Sequence, residues 1–482
     1  MLLAYTAIQS HLSHTIVTLL SYCIYIFSAR CKYMRLSQLT LRFIFPLIIG
    51  LVGLVFSSLS AAQKPHTLNI YGSNTIGSQL APALAQSFLE HRGLTRIKRQ
   101  SDANTQQHSF TAGTQAEPTS LQIHIHSQGS STGFTALHHG NGDIAAASRP
   151  IKTQEAHQLS TLGDMRSSHA EHVIAIDGIA IIVHPDNPVA TLDLTELAAV
   201  FSGEISNWES LGGNPGQINL YARDNKSGTW ETFKELVLTP AEHSLANSAK
   251  RFESSYALSE SVSQDPNGIG FIGLPYVLNA KALAISAGGA LPMFPTAGLI
   301  KTEDYPLSRR LYLYSAEHNS NPLAQAFLDF THSAAGQKQV ENNGFISQEV
   351  SAMSVASVVD MPPRYQELAQ HAQRLSVNFR FKEGSAQLDN KAARDIDRVL
   401  AYLRNNNKTD KKLVLVGFGD EKSDPERALL LSKLRAMAVR RELRQPDITF
   451  KEVLGIGDVM PVASNKADHG RLKNRRVELW VY

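Results

Sequence analysis

The chain has 482 residues, 43% hydrophobic and 18% charged, a balance that excludes a disordered protein, and it is too long for one compact core, so two or three domains are expected. The formal charge of +3 hides an uneven distribution: residues 1–62 carry +4, residues 63–375 carry −8 and residues 376–482 carry +7. An acidic middle followed by a basic tail points to two modules with different partners.

From Met34 the N-terminus reads MRLSQLTLR, then FIFPLIIGLVGLVF, then SSLSAAQ. This is the basic, apolar and small-residue succession of an export signal, with Met34 read as the start and residues 1–62 as the signal region. The apolar run is shorter than the ~20 residues of a spanning helix, which favours cleavage over a retained single-span anchor. Cys23 and Cys31 both fall in this segment, so the exported chain would have no thiol chemistry.

HTLNIYGSNTIGSQLAPALAQSFLE predicts a strand, a polar loop and a helix with Leu80, Leu84 and Phe88 on one side. Residues 101–119 are polar without a hydrophobic period and read as a surface insertion. LQIHIHS is an alternating strand, and QGSSTGFTALHHG repeats the strand, polar loop and helix order. GDIAAASRPI is a buried strand ending at Ser148 and Arg149, and HVIAIDGIAIIVHP is a long strand inside a sheet. LDLTELAAVFSG is a helix closed by Gly203. INLYAR follows, then the corner DNKSGT and a further helix, and later the strand-like GIGFIGLPYV.

Strands alternating with helices predict a mostly parallel α/β fold, in which ligands sit beyond the carboxyl ends of strands. Three hydroxyl-bearing loops, GSNT, GSST and SGT, occupy such positions. The corner RDNKSGT places a guanidinium, hydroxyls and open first-turn amides where an oxyanion could be held. Read alone, it also fits an ordinary capped helix.

SAMSVASVVDMPPRYQEL, with Pro362 and Pro363, reads as a linker or the start of an interdomain helix over residues 351–374. Residues 375–482 follow as a separate module of order β-α-β-α-β-β. LSVNFRF, KLVLVGFG, FKEVLGIG and RRVELWVY are its strands, and one amphipathic helix carries Ile396, Val399, Leu400 and Leu403.

GSNTIG, GSSTGF, GDIAAASRPI, DGIAIIVHPDNP, VFSGEISNW, RDNKSGT and GIGFIGLPY arrive in the order found in the phosphate-binding proteins of ABC-type Pst uptake systems. Residues 66–350 resemble that family of type II periplasmic binding proteins. The resemblance implies two lobes joined by crossover strands, closure about the cleft between them, and inorganic phosphate as ligand. It assigns Thr75, Ile76, Ser130, Ser148, Arg223, Ser227, Gly228 and Thr229 to the anion. Many members carry an aspartate where this chain has Ser148, which leaves discrimination of phosphate from sulfate open.

FRFKEGSAQLD, VLVGFGD, LSKLRAMAV, GIGDVMPVASN and NRRVELWV make the tail resemble an OmpA-like peptidoglycan-binding domain. The resemblance implies that Asp420 and Arg435 grip the ammonium and carboxylate of a peptidoglycan stem peptide. The same two residues could instead pair with each other as a surface salt bridge. It further implies a periplasmic, wall- or outer-membrane-associated protein, with an ABC-type phosphate permease as a partner to consider.

No cofactor or metal site is expected: His124, His126, His138 and His139 have no established ligand spacing. Arg440, Arg441, Arg475 and Arg476 lack interleaved aromatics, so nucleic acid is not an expected partner. A phosphatase or phosphotransferase using Ser227 would need a base or a metal that the sequence does not supply. A wall-associated structural or adhesive protein with a weakened or sulfate-type anion site is the remaining alternative.

Overall fold

The computed structural model describes residues 66–482, apart from 103–104, 116–119, 226, 358–360, 383–384 and 467. The export signal, its start at Met34 and both cysteines lie outside the described residues.

Strand β1 (His66–Gly72) alternates exposed and buried positions and pairs in parallel with β4 (Leu121–Ser127) and β5 (Ile144–Ala147). The edge beyond β4 is the antiparallel hairpin β2 (Lys98–Asp102) and β3 (Gln107–Ala112). This corrects the expectation of an unstructured insertion. Phe110 and Ala112 are fully buried under the first lobe, and the two apolar anchors in QHSFTA were hidden by their polar neighbours.

The long strand β6 (Glu171–Val183) runs through the middle of the sheet, buried along nearly its whole length. Short β7 (Thr191–Asp193) leads into the helix Leu194–Ser202, which Asp193 and Glu196 cap reciprocally and which Gly203 ends in a left-handed conformation. The second lobe adds β8 (Asn219–Arg223), β9 (Lys250–Phe252) and β10 (Gly268–Gly273), with β10–β8 and β8–β9 parallel. Strand β11 (Lys281–Ala282) pairs with β6, and β12 (Ala284–Ser286) with β7. Finally β13 (Ser308–Tyr314) returns between β5 and β6, antiparallel to both. The resulting order is β2-β3-β4-β1-β5-β13-β6-β10-β8-β9. Each half is internally parallel, apart from the edge hairpin, and β6 and β13 stitch the halves together.

The tail is a five-stranded sheet of order β14-β15-β18-β16-β17. It comprises β14 (Ala352–Met353), β15 (Gln373–Arg380), β16 (Leu413–Gly417), β17 (Phe450–Gly455) and β18 (Arg476–Val481). Helices Asn390–Asn405 and Pro425–Glu442 connect its strands, and the first buries Val399, Leu400 and Leu403. Two features differ from expectation. A short helix, Asp468–Asn474, precedes the last strand. The segment read as a linker or the start of an interdomain helix does begin a helix at Pro363, Pro363–His371, whose Tyr365 and Leu368 pack with Val414, Phe418 and Trp480, and it also supplies the unexpected β14. Among the described residues no helix is long and apolar enough to cross a membrane.

Candidate functional site

The parallel order of β1, β4 and β5 brings the loops that follow them to one edge of the sheet, where they face the helical segment that begins after β8. At the end of β1, Gly72 has φ 138°, and a Cβ there would stand 2.0 Å from the carbonyl oxygen of Ala146. Only glycine lets this loop leave so close to β5. Thr75 follows, buried, its amide donating to Ser73 Oγ at 3.1 Å, and Ile76 is sealed in the core behind it.

Ser130 and Ser148 are both buried and meet there. The Ser148 amide donates to Ser130 Oγ at 3.2 Å, and the two hydroxyls are 3.3 Å apart. Arg149 turns away into a bidentate pair with Glu155 at 2.7 and 2.8 Å, with a further bond to Ser131 Oγ.

On the facing side Ser227 is the N-cap position of the helix Gly228–Phe233, which continues without a break into the π turn Lys234–Leu238. A Cβ on Gly228 would lie 1.9 Å from Thr75 Oγ1, so the halves touch at this point and only a glycine fits. Thr229 sits in the first turn of that helix. Glu231 comes from the same first turn, and Ser148 Oγ donates to Glu231 Oε2 at 3.5 Å.

Of the residues read from the sequence, Thr75 abuts Gly228, Ser130 meets Ser148, Ser148 reaches Glu231, and Ser227 and Thr229 lie at the start of the same helix, so this junction of the halves is the candidate cleft. Ile76 supports it from the core. Arg223 is placed otherwise. Its Nε donates to the Phe252 carbonyl at 3.2 Å, Nη2 to the Glu253 carbonyl at 2.8 Å, and Nη1 to Ser255 Oγ. Burial lowers the pKa of this guanidinium, with Asp224 partly compensating.

The cation at the meeting point of the halves is Arg309, on β13, which the sequence reading did not single out. Its Nη2 donates to Thr75 Oγ1 at 2.8 Å and to the Gly228 carbonyl at 2.9 Å. Its Nε donates to Asp177 Oδ2 at 3.4 Å, the residue directly opposite on β6. Glu235 Oε2 lies 3.8 Å from Nη1. Burial raises the Glu235 carboxyl and the neighbouring Glu231 adds to this, while Arg309 opposes it. A signal was present: an aspartate in the apolar run HVIAIDGIAIIV and two arginines in SRRLYLY are charges that a buried strand keeps only when they are paired.

In the tail, Asp420 is 1% exposed, so it is not half of a surface pair. Its Oδ2 accepts from Lys422 Nζ at 2.7 Å and Arg475 Nη2 at 2.8 Å, and Arg435 Nη2 stands 3.8 Å from Oδ1. Burial works to raise this carboxyl, but the bonds from Arg475 and Lys422 hold it well below the usual carboxylate range. Two of these cations, Arg435 and Arg475, also line a cavity of about 300 Å³ together with Lys382, Phe381, Leu431, Leu434 and Leu472. A small ligand with one charged end and an aliphatic stem fits this lining.

Residues 102–335 match the model of the PBP superfamily domain, and residues 380–475 that of the OmpA family. Over 244 residues the chain is 30% identical to the phosphate-binding protein PstS of Pseudomonas aeruginosa, covering 47% of this chain and 74% of that protein. It is 29% identical over 224 residues to the phosphate-binding protein PstS of Borreliella burgdorferi, covering 45% of this chain and 77% of the relative. A solved ABC-type phosphate transport receptor from Vibrio cholerae superposes with a TM-score of 0.45 at 23% identity, covering 58% of this chain and 99% of that one.

Proposed function

The chain belongs to the family of the phosphate-binding protein PstS, and on that footing we propose that it captures inorganic phosphate reversibly in this cleft while its OmpA-family tail holds it to peptidoglycan. The observation that supports the first half is this junction: Thr75 abuts Gly228 and Ser148 reaches Glu231, so the hydroxyl-bearing loops of one half meet the helix start that carries Ser227 and Thr229, in a family named for phosphate binding. Fixed donors of this kind hold an oxyanion without transforming it. Arg223, four residues before Ser227, is assigned to the anion once it exchanges its carbonyl partners for phosphate oxygens, which it can grip in parallel.

Phosphoryl transfer through Ser227 is the weaker reading. A nucleophilic serine needs a base in hydrogen-bond reach, and among the described residues no imidazole or carboxylate is hydrogen-bonded to the Ser227 hydroxyl. The wall-binding half rests on the buried, cation-ringed Asp420 and the cavity lined by Arg435, which suit the ammonium and carboxylate of a stem peptide. Export to a periplasm, and delivery of cargo to an ABC-type permease, belong to the same reading. Tethering limits the diffusion that delivery requires, so retention of phosphate near the wall competes with transport.

Calorimetric titration with phosphate tests the proposal. Wild type should bind, and Arg223→Ala should bind roughly ten- to a hundredfold more weakly, the worth of a charged hydrogen-bonding group. A folded wild-type protein that takes up no phosphate after removal of bound ligand sinks the reading. For the tail, Asp420→Ala should abolish co-sedimentation with purified peptidoglycan.

A further inference from the structure

Arg309 has bonding capacity that the fold leaves unused. The residue is 8% exposed, and its Nε and Nη2 are taken by Asp177, Thr75 and the Gly228 carbonyl. Its Nη1 is buried and, among the described residues, has no hydrogen-bond partner; Glu235 Oε2 faces it at 3.8 Å, beyond bonding distance. Buried guanidinium N–H groups are expensive to leave unmade, so a donor stranded in a cleft indicates a missing acceptor. The acceptor's position is constrained. It must lie within reach of a nitrogen whose sister, Nη2, already bridges Thr75 of one half to Gly228 of the other.

We propose that Arg309 is a ligand-binding residue of the cleft: Nη1 donates to an oxygen of the bound oxyanion, while Nη2 keeps its bonds to Thr75 Oγ1 and the Gly228 carbonyl. The inference rests on the reading of the cleft as a phosphate site and adds to it a second cation from the strands that join the halves. Arg223 can reach the anion only by giving up its present partners. Arg309 is already in place, held by Asp177 across the β6–β13 pair. Its planar fork explains the residue type: one guanidinium can serve both walls and the ligand at once, which a lysine ammonium on a flexible stem cannot do with fixed geometry. An anion on Nη1 also fastens the contact between Thr75 and Gly228, so capture and closure become one event.

The test is phosphate titration of the whole protein as wild type, Arg309→Lys, Arg309→Gln and Arg223→Ala, each checked for folding by thermal melting without ligand. The expected result is a loss of roughly ten- to a hundredfold in affinity for Arg309→Gln, with partial recovery in Arg309→Lys. Arg309 variants that are folded and bind phosphate within about twofold of a phosphate-binding wild type overturn the inference and leave the phosphate reading intact. A wild type that binds no phosphate overturns both. Should the Arg309 variants fail to fold, a crystal structure of wild type with phosphate decides: a phosphate oxygen within about 3.2 Å of Nη1 upholds the assignment, and Nη1 bonded elsewhere overturns it.

Discussion

Ser148 can donate or accept a hydrogen bond, but it has no charge with which to repel an anion that carries no proton. The carboxylate next to it comes from across the cleft: Glu231 Oε2 is 3.5 Å from Ser148 Oγ. A carboxylate only accepts, so it favours an oxyanion that still bears a proton and opposes one that does not. Near neutral pH phosphate retains a proton and sulfate has none. With phosphate in the cleft as proposed, Glu231 is the group expected to supply from the second half the discrimination that Ser148 alone cannot provide. The expected outcome for Glu231→Gln is a narrowing of the phosphate-to-sulfate affinity ratio by roughly tenfold or more, because an amide can donate to either anion. Parallel titrations with both salts measure it. An unchanged ratio would show that selectivity lies elsewhere.

Between residue and molecule stand the two crossing strands. In β6 and β13, Asp177 and Arg309 face each other as a directly opposed carboxylate and guanidinium, both buried. Removing one member of a buried pair strands the other, which costs about 3–5 kcal/mol. Asp177→Ala should accordingly lower unfolding free energy by that order in denaturant titrations, and should weaken phosphate binding as well, since it frees Arg309 to rotate. Of the two strands, β6 was legible, because a long apolar run reports burial directly, whereas β13 was not read from the sequence, its two arginines breaking the apolar run. The hydroxyl-bearing loops were legible too, since strand-end position is set by the α/β order. The Asp177–Arg309 pair was not, because its members are far apart in sequence and meet only through the β13 return. The orientation of Arg223 was equally hidden: nothing in RDNKSGT announces that Phe252, Glu253 and Ser255 will occupy its donors. Phe110 was missed because one aromatic among polar neighbours carries no period.

Across the whole of residues 66–482, the tail is fastened to the preceding residues by a chain of charged and polar contacts. Successive residues of β13 point opposite ways: Arg309 into the cleft, Arg310 to Glu303 and to Asp389 at the start of a tail helix. Asp304 receives Arg374 at 2.6 Å and the amide of Asn378 at 2.8 Å, both from β15. Arg394 reaches the Glu171 carbonyl and His172 Nδ1 at the start of β6, and Arg398 lies against His332. Burial raises Glu303 in isolation, but Arg310, Lys391 and Arg380 overcome it and bring the carboxyl down from 4.5 to about 2. Burial, with Arg394 adding to it, lowers His172 from 6.5 to about 4. Both shifts have the same sign. Each group binds a proton more readily unfolded than folded, so stability is full above the unfolded value and falls as pH drops through the window. Acidification should erode stability first between about pH 6.5 and 4, through His172, and further between about 4.5 and 2, through Glu303. The Glu303 share is of the order of 3 kcal/mol at neutral pH. Thermal melts of wild type and Glu303→Gln from pH 8 downward test this. The gap between the two should narrow from about pH 4.5 downward, as the unfolded carboxyl takes up its proton, and close as pH falls through about 2, whereas a gap independent of pH would mean that Glu303 contributes packing and no charge. Since the same strand carries Arg309, any loosening of the tail in acid should also appear as weaker phosphate capture, at a pH where the donors of the cleft are still fully protonated.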